Sequence, residues 1–408
     1  MLSRHHIVAP SLRVADAAAA SVFGAARMRG PIARDVIAKV TQLSIATVNR
    51  QVTALLDAGI LRERADLAVS GAIGRPRVPV EVNHEPFLTL GLHIGARTTS
   101  IVATDLFGRT LDVVETPTPR AGQAAALASL ADSARRYLSR WHRRRPLWVG
   151  VAAGGVVDSA TGHLDHPRLG WSDAPVGPVL AETLGLPVSV ASHVDAMAGA
   201  ELLLSARRPA GPSTTSLYVY ARETVGYALS IGGRVHSPAS GPGTIAALPA
   251  HSELLGGTGQ LESTVSDEAV LTAARRQRLV PAEGPTSTLA AVLTAARRGN
   301  GQARALLAER ARVLGEAVAL LRDMLNPDDL VVGGQAFTEY PEGMEDVTAA
   351  FAARSVLPPR EIRVTTFGNR VQEAGAGVVS LGGLYADPIG AMRRARRNYA
   401  EITGRYSS

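Results

Sequence analysis

Between Pro31 and Val82 the chain carries two short helical repeats, a three-residue break between them and two strand-like runs behind them. Few folds satisfy that order. Ile32 to Val40 reads as the first helix, with Ile32, Val36, Ile37 and Val40 on one apolar face. Thr41-Gln42-Leu43 makes a tight break, and Ser44 follows as an N-cap whose hydroxyl satisfies an orphan backbone N–H. Beyond it Val48, Val52, Leu55 and Leu56 recur at helical spacing and bury one side of a second helix. The opposite side holds Ile45, Ala46, Asn49, Arg50 and Thr53. Such a face, short and polar with one long cation, is what a helix entering a major groove presents. Ala58-Gly59-Ile60 supplies the glycine stop.

Leu61 to Val82 reads as a two-stranded wing with its tip at Ala68–Pro76. Glycine and proline keep Gly74-Arg75-Pro76-Arg77 thin and extended, and arginine on such a segment suits the narrow minor groove of A·T-rich DNA. The expected roles place Asn49 and Arg50 on base edges and Ile45 and Ala46 in apolar base contact. Ser44 and Thr47 fall to phosphates, Arg75 and Arg77 to the minor groove, and Thr41 and Gln42 complete the DNA-binding set. Other readings stay open: an ordinary helical hairpin, a winged helix used for protein contacts, and a solvated turn at the arginine tip. Ala15–Ala26 faintly resembles a signal peptide, but Asp16 interrupts it and it runs on into the pattern above. It reads as the first helix of the same winged helix-turn-helix.

Charge agrees with that reading by its distribution. The chain has 43 basic and 36 acidic residues, and only Lys39 is lysine, so arginine abundance by itself reflects genome composition. Residues 1–83 hold 11 of the basic and 6 of the acidic residues, so most of the formal excess of +7 sits there. No cysteine is present, which excludes disulfides and thiolate metal sites. The longest charge-free apolar run, Pro146–Val157, is broken by glycines and falls well short of the roughly 20 residues a membrane span needs. A cytoplasmic protein without membrane partners is expected.

From Phe87 the pattern changes to alternating strands and helices, an α/β body. Leu88–Ile94, Thr98–Asp105 and Arg109–Glu115 read as successive strands, followed by a helix at Ala121–Arg140 and a buried strand at Leu147–Val151. A helix at Pro178–Leu184 and a strand at Val188–Ala191 come next. The three-strand opening returns at Ser216–Tyr220, Thr224–Ile231 and Gly233-Arg234, so the body reads as a duplicated, two-lobe architecture. Two such lobes leave a cleft, the default place for a ligand.

In order along the chain stand Leu43-Ser-Ile-Ala-Thr-Val-Asn-Arg50, Gly74-Arg-Pro76, Gly91-Leu-His-Ile-Gly95, Asp105-Leu-Phe-Gly108 and Gly150-Val-Ala-Ala-Gly-Gly-Val-Val-Asp158. Leu169-Gly-Trp171, Leu186-Pro-Val-Ser-Val190, Ala198-Gly-Ala-Glu201, Gly259-Gln-Leu-Glu262 and Asn326-Pro-Asp-Asp-Leu-Val-Val-Gly-Gly334 follow. By these landmarks, over roughly residues 25–385, the chain resembles the regulator branch of the ROK family (repressors, open reading frames and kinases). The resemblance implies an actin-like (sugar-kinase, ribonuclease H-like) body and a homodimer or homotetramer. Dimerisation also follows from physics, since one helix-turn-helix reads only a short half-site; an inverted-repeat operator is expected.

Where the family's kinases use an Asp to position nucleotide and magnesium, this chain has His93, and imidazole is a poor ligand for a hard cation. The kinases' Asn-Asp pair, whose Asp is the base for the sugar hydroxyl, aligns with Ser192 and His193. The segment that gives the family a sugar-binding Glu and His reads Gly243-Thr-Ile-Ala-Ala247, and the cysteine zinc motif has become Glu253-Leu-Leu-Gly-Gly-Thr-Gly-Gln260. Of the family's sugar contacts at Ser192, His193, Thr244, Ala247 and Glu262, only Glu262 keeps its identity. Neither catalysis, a cofactor nor a bound metal is expected. Ser192, His193, Asp195, Thr244, Gln260 and Glu262 are candidates for an atypical effector, a sugar or a derivative, or else satisfied polar residues of a retired site.

His163 and His166, with Asp165 between them, have a metal-like spacing but read as solvated loop residues. Arg135, Arg136, Arg140 and Arg143–Arg145 suit an exposed helix end, where cations are favoured, or a secondary contact to DNA or an acidic ligand. Arg393–Arg397 reads as a charged amphipathic helix lying against the body, and Gly333-Gly334 as a strand-ending turn. The expected organisation is a DNA-binding domain at 1–83, a first lobe at 84–205, a second at 206–388 that returns to the first near its end, and a basic tail at 389–408. The function expected is sequence-specific transcriptional regulation, most simply repression, in which ligand-dependent closure of the lobes alters the spacing of paired readers. The alternatives are a sugar kinase with a regulatory N-terminus and a DNA-bound regulator without a small-molecule effector.

Overall fold

The computed structural model describes residues 6–68, 78–205, 214–238 and 241–405, with side chains as far as Arg396 in the last helix. The chain enters along a sheet edge: Ile7 bridges Val188, and the amides of Val8 and Val188 donate to the carbonyls of Val188 and His6 at 2.9 and 2.8 Å. Three helices follow, α1 (Ala18–Arg29), α2 (Arg34–Thr41) and α3 (Ile45–Asp57). Then come β1 (Leu61–Glu63) and β2 (Val80–Val82), paired antiparallel with Leu61 opposite Val82. Gln42 turns the α2–α3 break in the left-handed region at φ 57°, and Ser44 Oγ caps α3 by accepting from the Thr47 amide at 3.2 Å. Val48, Val52 and Leu55 of α3 are fully buried and Leu56 partly so.

The apolar face expected for the first of the two periodic helices is narrower in the structure. Ile37 is fully buried, but Val36 and Val40 are 38% and 37% exposed. The helix starts only at Arg34, so Ile32 lies ahead of it and bridges Val80. At 100° per residue, Val36 and Val40 then point well to one side of Ile37.

Next are β3 (Phe87–Ile94), β4 (Thr98–Thr104), β5 (Thr110–Pro117), α4 (Gln123–Ser139), β6 (Arg145–Ala153), the short strands β7 (Val156–Asp158), β8 (His163–His166) and β9 (Trp171–Ala174), α5 (Val176–Leu184), β10 (Val188–Ser192) and α6 (His193–Leu204). One sheet runs in the order β10-β6-β3-β4-β5, antiparallel from β3 to β5 and parallel from β3 through β6 to β10. Central strand β3 is buried at every position, as a strand covered on both faces must be.

The second half repeats the plan. Its strands are β11 (Thr215–Ala221), β12 (Val225–Ile231), β13 (Arg234–His236), β14 (Gly243–Thr244), β15 (Asp329–Gly333) and β16 (Arg363–Val364). Its helices are α7 (Leu261–Val265), α8 (Asp267–Arg276), α9 (Leu289–Arg297), α10 (Gly301–Leu325), α11 (Gln335–Thr338) and α12 (Met344–Arg354). The strand order β13-β12-β11-β15-β16 again sets three antiparallel strands beside two parallel ones, so the duplication read from the opening strands extends through the whole sheet. Gly333 ends β15 and Gly334, at φ 90°, turns the chain into α11. Two helices close the chain, α13 (Val371–Ala386) and α14 (Pro388–Arg405).

The described residues fall into two units. One takes in those up to Ser205 together with Gly241 and those from Gln372 on; the other takes in those between Thr214 and Pro238 and between Pro242 and Val371. In the first unit α13 lies flush on the sheet because two strand glycines admit its backbone. A Cβ on Gly150 would sit 2.2 Å from the Ser380 amide nitrogen, and one on Gly91 2.8 Å from the Ala376 carbonyl carbon. The same unit holds one continuous core in which Phe23, Val52 and Leu55 of the helices near the N-terminus pack with Leu106, Trp148, Leu384, Met392 and Ala395. The buried Ala391, Met392 and Ala395 set α14 against this core, as its amphipathic pattern suggests. Among the described residues no helix is long and apolar enough to cross a membrane.

Candidate nucleic-acid interface and effector residues

Helical periodicity sorts α3 into two sides. Opposite its buried stripe, Ile45, Ala46, Asn49, Arg50 and Thr53 are all exposed. The Arg50 guanidinium makes no hydrogen bond or ion pair among the described residues. At the start of the helix Ser44 Oγ donates to Thr47 Oγ1 at 3.0 Å, and in the break Thr41 Oγ1 donates to the Ile37 carbonyl at 2.7 Å while Gln42 stays exposed. Arg75 and Arg77, the expected minor-groove residues, lie outside the described residues.

The basic excess of this region is not uniformly available. Arg62 pairs with Glu81 at 2.7 Å and Glu85 at 3.0 Å, and Arg64 with Asp66 at 2.6 Å and Glu81 at 2.9 Å. Hydrogen bonds from these guanidinium groups hold the Asp66 and Glu85 carboxyls below their usual range and raise both arginines. The exposed pairs with Asp66 and Glu85 contribute little to stability, but together with half-buried Glu81 they withdraw Arg62 and Arg64 from other partners. Sequence reasoning missed Arg34, whose Nη2 donates to Glu63 at 3.1 Å and whose Nη1 donates to Asn49 Oδ1 at 3.5 Å. It also missed Arg396 of α14, which donates to the carbonyls of Asp57 and Ala58 at the end of α3, at 3.1 and 2.9 Å. Neither contact leaves a periodic trace.

The candidate effector residues separate into two groups, one in each unit. In the first, Ser192 caps α6 by accepting from the Asp195 amide at 3.2 Å, so its hydroxyl already has a structural duty. Asp195 is buried. His193, the first residue of α6, lies with its ring parallel to that of His93 (10° between planes, centroids 6.0 Å apart). Burial, with a smaller contribution from nearby His166, pushes the His193 imidazole down to about 4. In the second unit, Thr244 and Glu262 meet at Ala246: Thr244 Oγ1 accepts from the Ala246 amide at 3.2 Å, and the Glu262 amide donates to the Ala246 carbonyl at 3.1 Å. Glu262 Oε2 also accepts from the Val225 amide at 3.3 Å. Gln260 precedes α7 with an exposed side chain.

Where the family's zinc motif would fall, hydroxyls and a guanidinium hold the loop. Thr258 donates through its amide and hydroxyl to Ser263 Oγ at 3.0 and 2.9 Å, and Arg276 donates to the Leu254 carbonyl at 2.6 Å.

The paired histidines are not solvated loop residues, because they occupy the two ends of β8. His163 pairs with Asp173 at 2.8 Å, and His166 is buried edge-on against Trp171, where burial depresses its imidazole. Among the described residues no group of three or more histidine and carboxylate side chains is placed to hold a metal. The basic run at the end of α4 and just beyond it is largely engaged within the fold. Arg135 pairs with Asp132 and Arg140 with Asp112, while Arg144 donates to the His84 and Phe87 carbonyls.

Comparison with known proteins extends this description. The family model described as ROK family matches residues 89–380. A transcriptional regulator of Mycobacterium tuberculosis is 76% identical over 400 residues, covering 96% of this chain and 91% of that one. A crystal structure of a ROK family transcriptional regulator, a homologue of the Escherichia coli MLC protein, superposes with a TM-score of 0.75 at 21% identity, covering 93% of this chain and 99% of the other. A ROK family glucokinase from Streptomyces griseus, solved with glucose and AMPPNP, matches with a TM-score of 0.59 at 19% identity, covering 72% of this chain and 99% of the kinase. These likenesses to solved structures establish the fold.

Proposed function

The chain belongs to the ROK family, and from that premise we propose that it is a sequence-specific DNA-binding transcriptional regulator, a repressor in its simplest action, whose sugar-kinase-like body does not transfer phosphate. The observation that carries the reading is the division of α3: its buried stripe fixes the helix in the core, while Asn49 and Arg50, whose side chain is unpaired among the described residues, stand on the outward face. With β1 and β2 behind it, the unit has the order of a winged helix-turn-helix. The regulator of Mycobacterium tuberculosis, alike over nearly the whole chain, supports the same role.

The body's chemistry points away from catalysis. An imidazole pair, His93 and His193, stands where the family's kinases place the carboxylates for magnesium and for the sugar hydroxyl. Ser192, Thr244 and Glu262 spend polar atoms on the backbone of their own units. The candidate effector residues stay Ser192, His193 and Asp195 in the one unit and Thr244, Gln260 and Glu262 in the other, and an effector shifts the reader only by binding one conformation better than another. A homodimer or homotetramer on an inverted repeat with A·T-rich flanks completes the proposal.

The test is a pair of assays on the full-length protein. Binding to duplex DNA should weaken steeply as salt rises, and ATP consumption over a panel of hexoses should stay at background. Absence of DNA binding even at low salt, or hexose-dependent turnover, would reverse the assignment.

A further inference from the structure

We infer that Arg34 is a positioning residue for base recognition: by holding the Asn49 carbonyl it makes Asn49 a hydrogen-bond donor, directed at guanine or thymine rather than adenine. The inference rests on the DNA-reading function proposed above.

Arg34 opens α2, and its guanidinium spans two other elements, with Nη2 on Glu63 of β1 at 3.1 Å and Nη1 on Asn49 Oδ1 of α3 at 3.5 Å. A cation at a helix N-terminus is opposed by the helix dipole. The Glu63 carboxylate offsets that conflict and fixes one side of the fork, which leaves the other side facing the Asn49 amide. Only the carbonyl end of Asn49 suits this neighbour, because the reverse orientation would set the amide NH2 against a guanidinium that has no acceptor. The NH2 is thereby turned away from Arg34, on the exposed face that also carries Arg50.

An asparagine that reads adenine bidentately uses both ends, accepting from N6 and donating to N7. With one of the two lone pairs of its carbonyl directed at Arg34 and the guanidinium crowding that end, Asn49 offers its donor end to the groove. Acceptor edges then fit best: guanine O6 and N7, or thymine O4.

The experiment is selection from random duplex DNA with the full-length protein and three variants. Asn49→Ala locates the base position that Asn49 reads, where the parent should prefer guanine or thymine. Arg34→Met keeps the aliphatic stem, releases the carbonyl, and should move the preference at that position toward adenine by about tenfold, other positions holding. Glu63→Gln loosens the anchor and should shift the same position in the same direction by a smaller factor; it decides the matter if Arg34→Met melts early. A parent preference for adenine there, or an unchanged base order in the Arg34 and Glu63 variants, overturns the inference and leaves the DNA reading intact. A uniform loss of affinity with a salt slope lower by about one makes Arg34 a phosphate contact and also overturns it. A parent that selects no sequence at all removes the DNA reading and the inference together.

Discussion

Arg50 and Arg62 are both arginines of the N-terminal region, yet their surroundings give them different work. Arg62 is clamped by Glu81 and Glu85, whereas Arg50 stands unpaired among the described residues on the outward face of α3. Replacing Arg50 by alanine should cost about 1–3 kcal/mol at a specific site and relax the base preference there. Arg62→Ala should leave that preference in place. Titration of both variants against a selected site and a scrambled one checks the contrast, and equal losses would contradict it. Asn49 and Arg50 were legible in the sequence because a period of 3.6 separates a buried stripe from its opposite. Arg34 was not, since its partners stand far along the chain and no periodicity links them. Val36 and Val40 misled for a related reason: two turns of helix are too few for the pattern to fix which apolar residues face inward.

At the scale of elements, the junction of β10 and α6 sets the candidate effector residues Ser192 and His193 side by side. His193 is desolvated there and its imidazole is pushed down to about 4, below the value near 6.5 expected of an unfolded chain. The unfolded state therefore binds more protons between those values, so stability should be intact above about pH 6.5 and decline as pH falls toward 4. Melting temperatures across that window should fall less steeply for His193→Asn than for the parent. Parallel curves would mean that His193 is not the linked group. Ser192 and His193 could be located from the sequence by spacing, but their surroundings could not. The ring of His93 comes from β3, about a hundred residues earlier, and the fold alone brings the two together.

At the scale of the whole molecule, the duplicated sheet was legible from its opening strands, because alternation and turn residues mark each strand locally. The return of α13 and α14 to the first unit was less so: the glycines that admit α13, Gly91 and Gly150, read as motif residues, and their packing role needs the partner helix. That return makes the N-terminal helices dependent on the body, since Phe23, Val52 and Leu55 share a core with Trp148, Leu384 and Met392. A fragment ending at residue 83 would expose that apolar surface and should lack cooperative unfolding by circular dichroism. A sharp melt of the isolated fragment would contradict the shared core.

The central claim, that this chain reads DNA sequence as a paired regulator, is tested most directly by sequencing genomic fragments captured by the full-length protein near physiological salt. The account predicts recovery of one motif in inverted pairs, with centres about one helical turn apart or a multiple of it. Enrichment that follows base composition alone would contradict it.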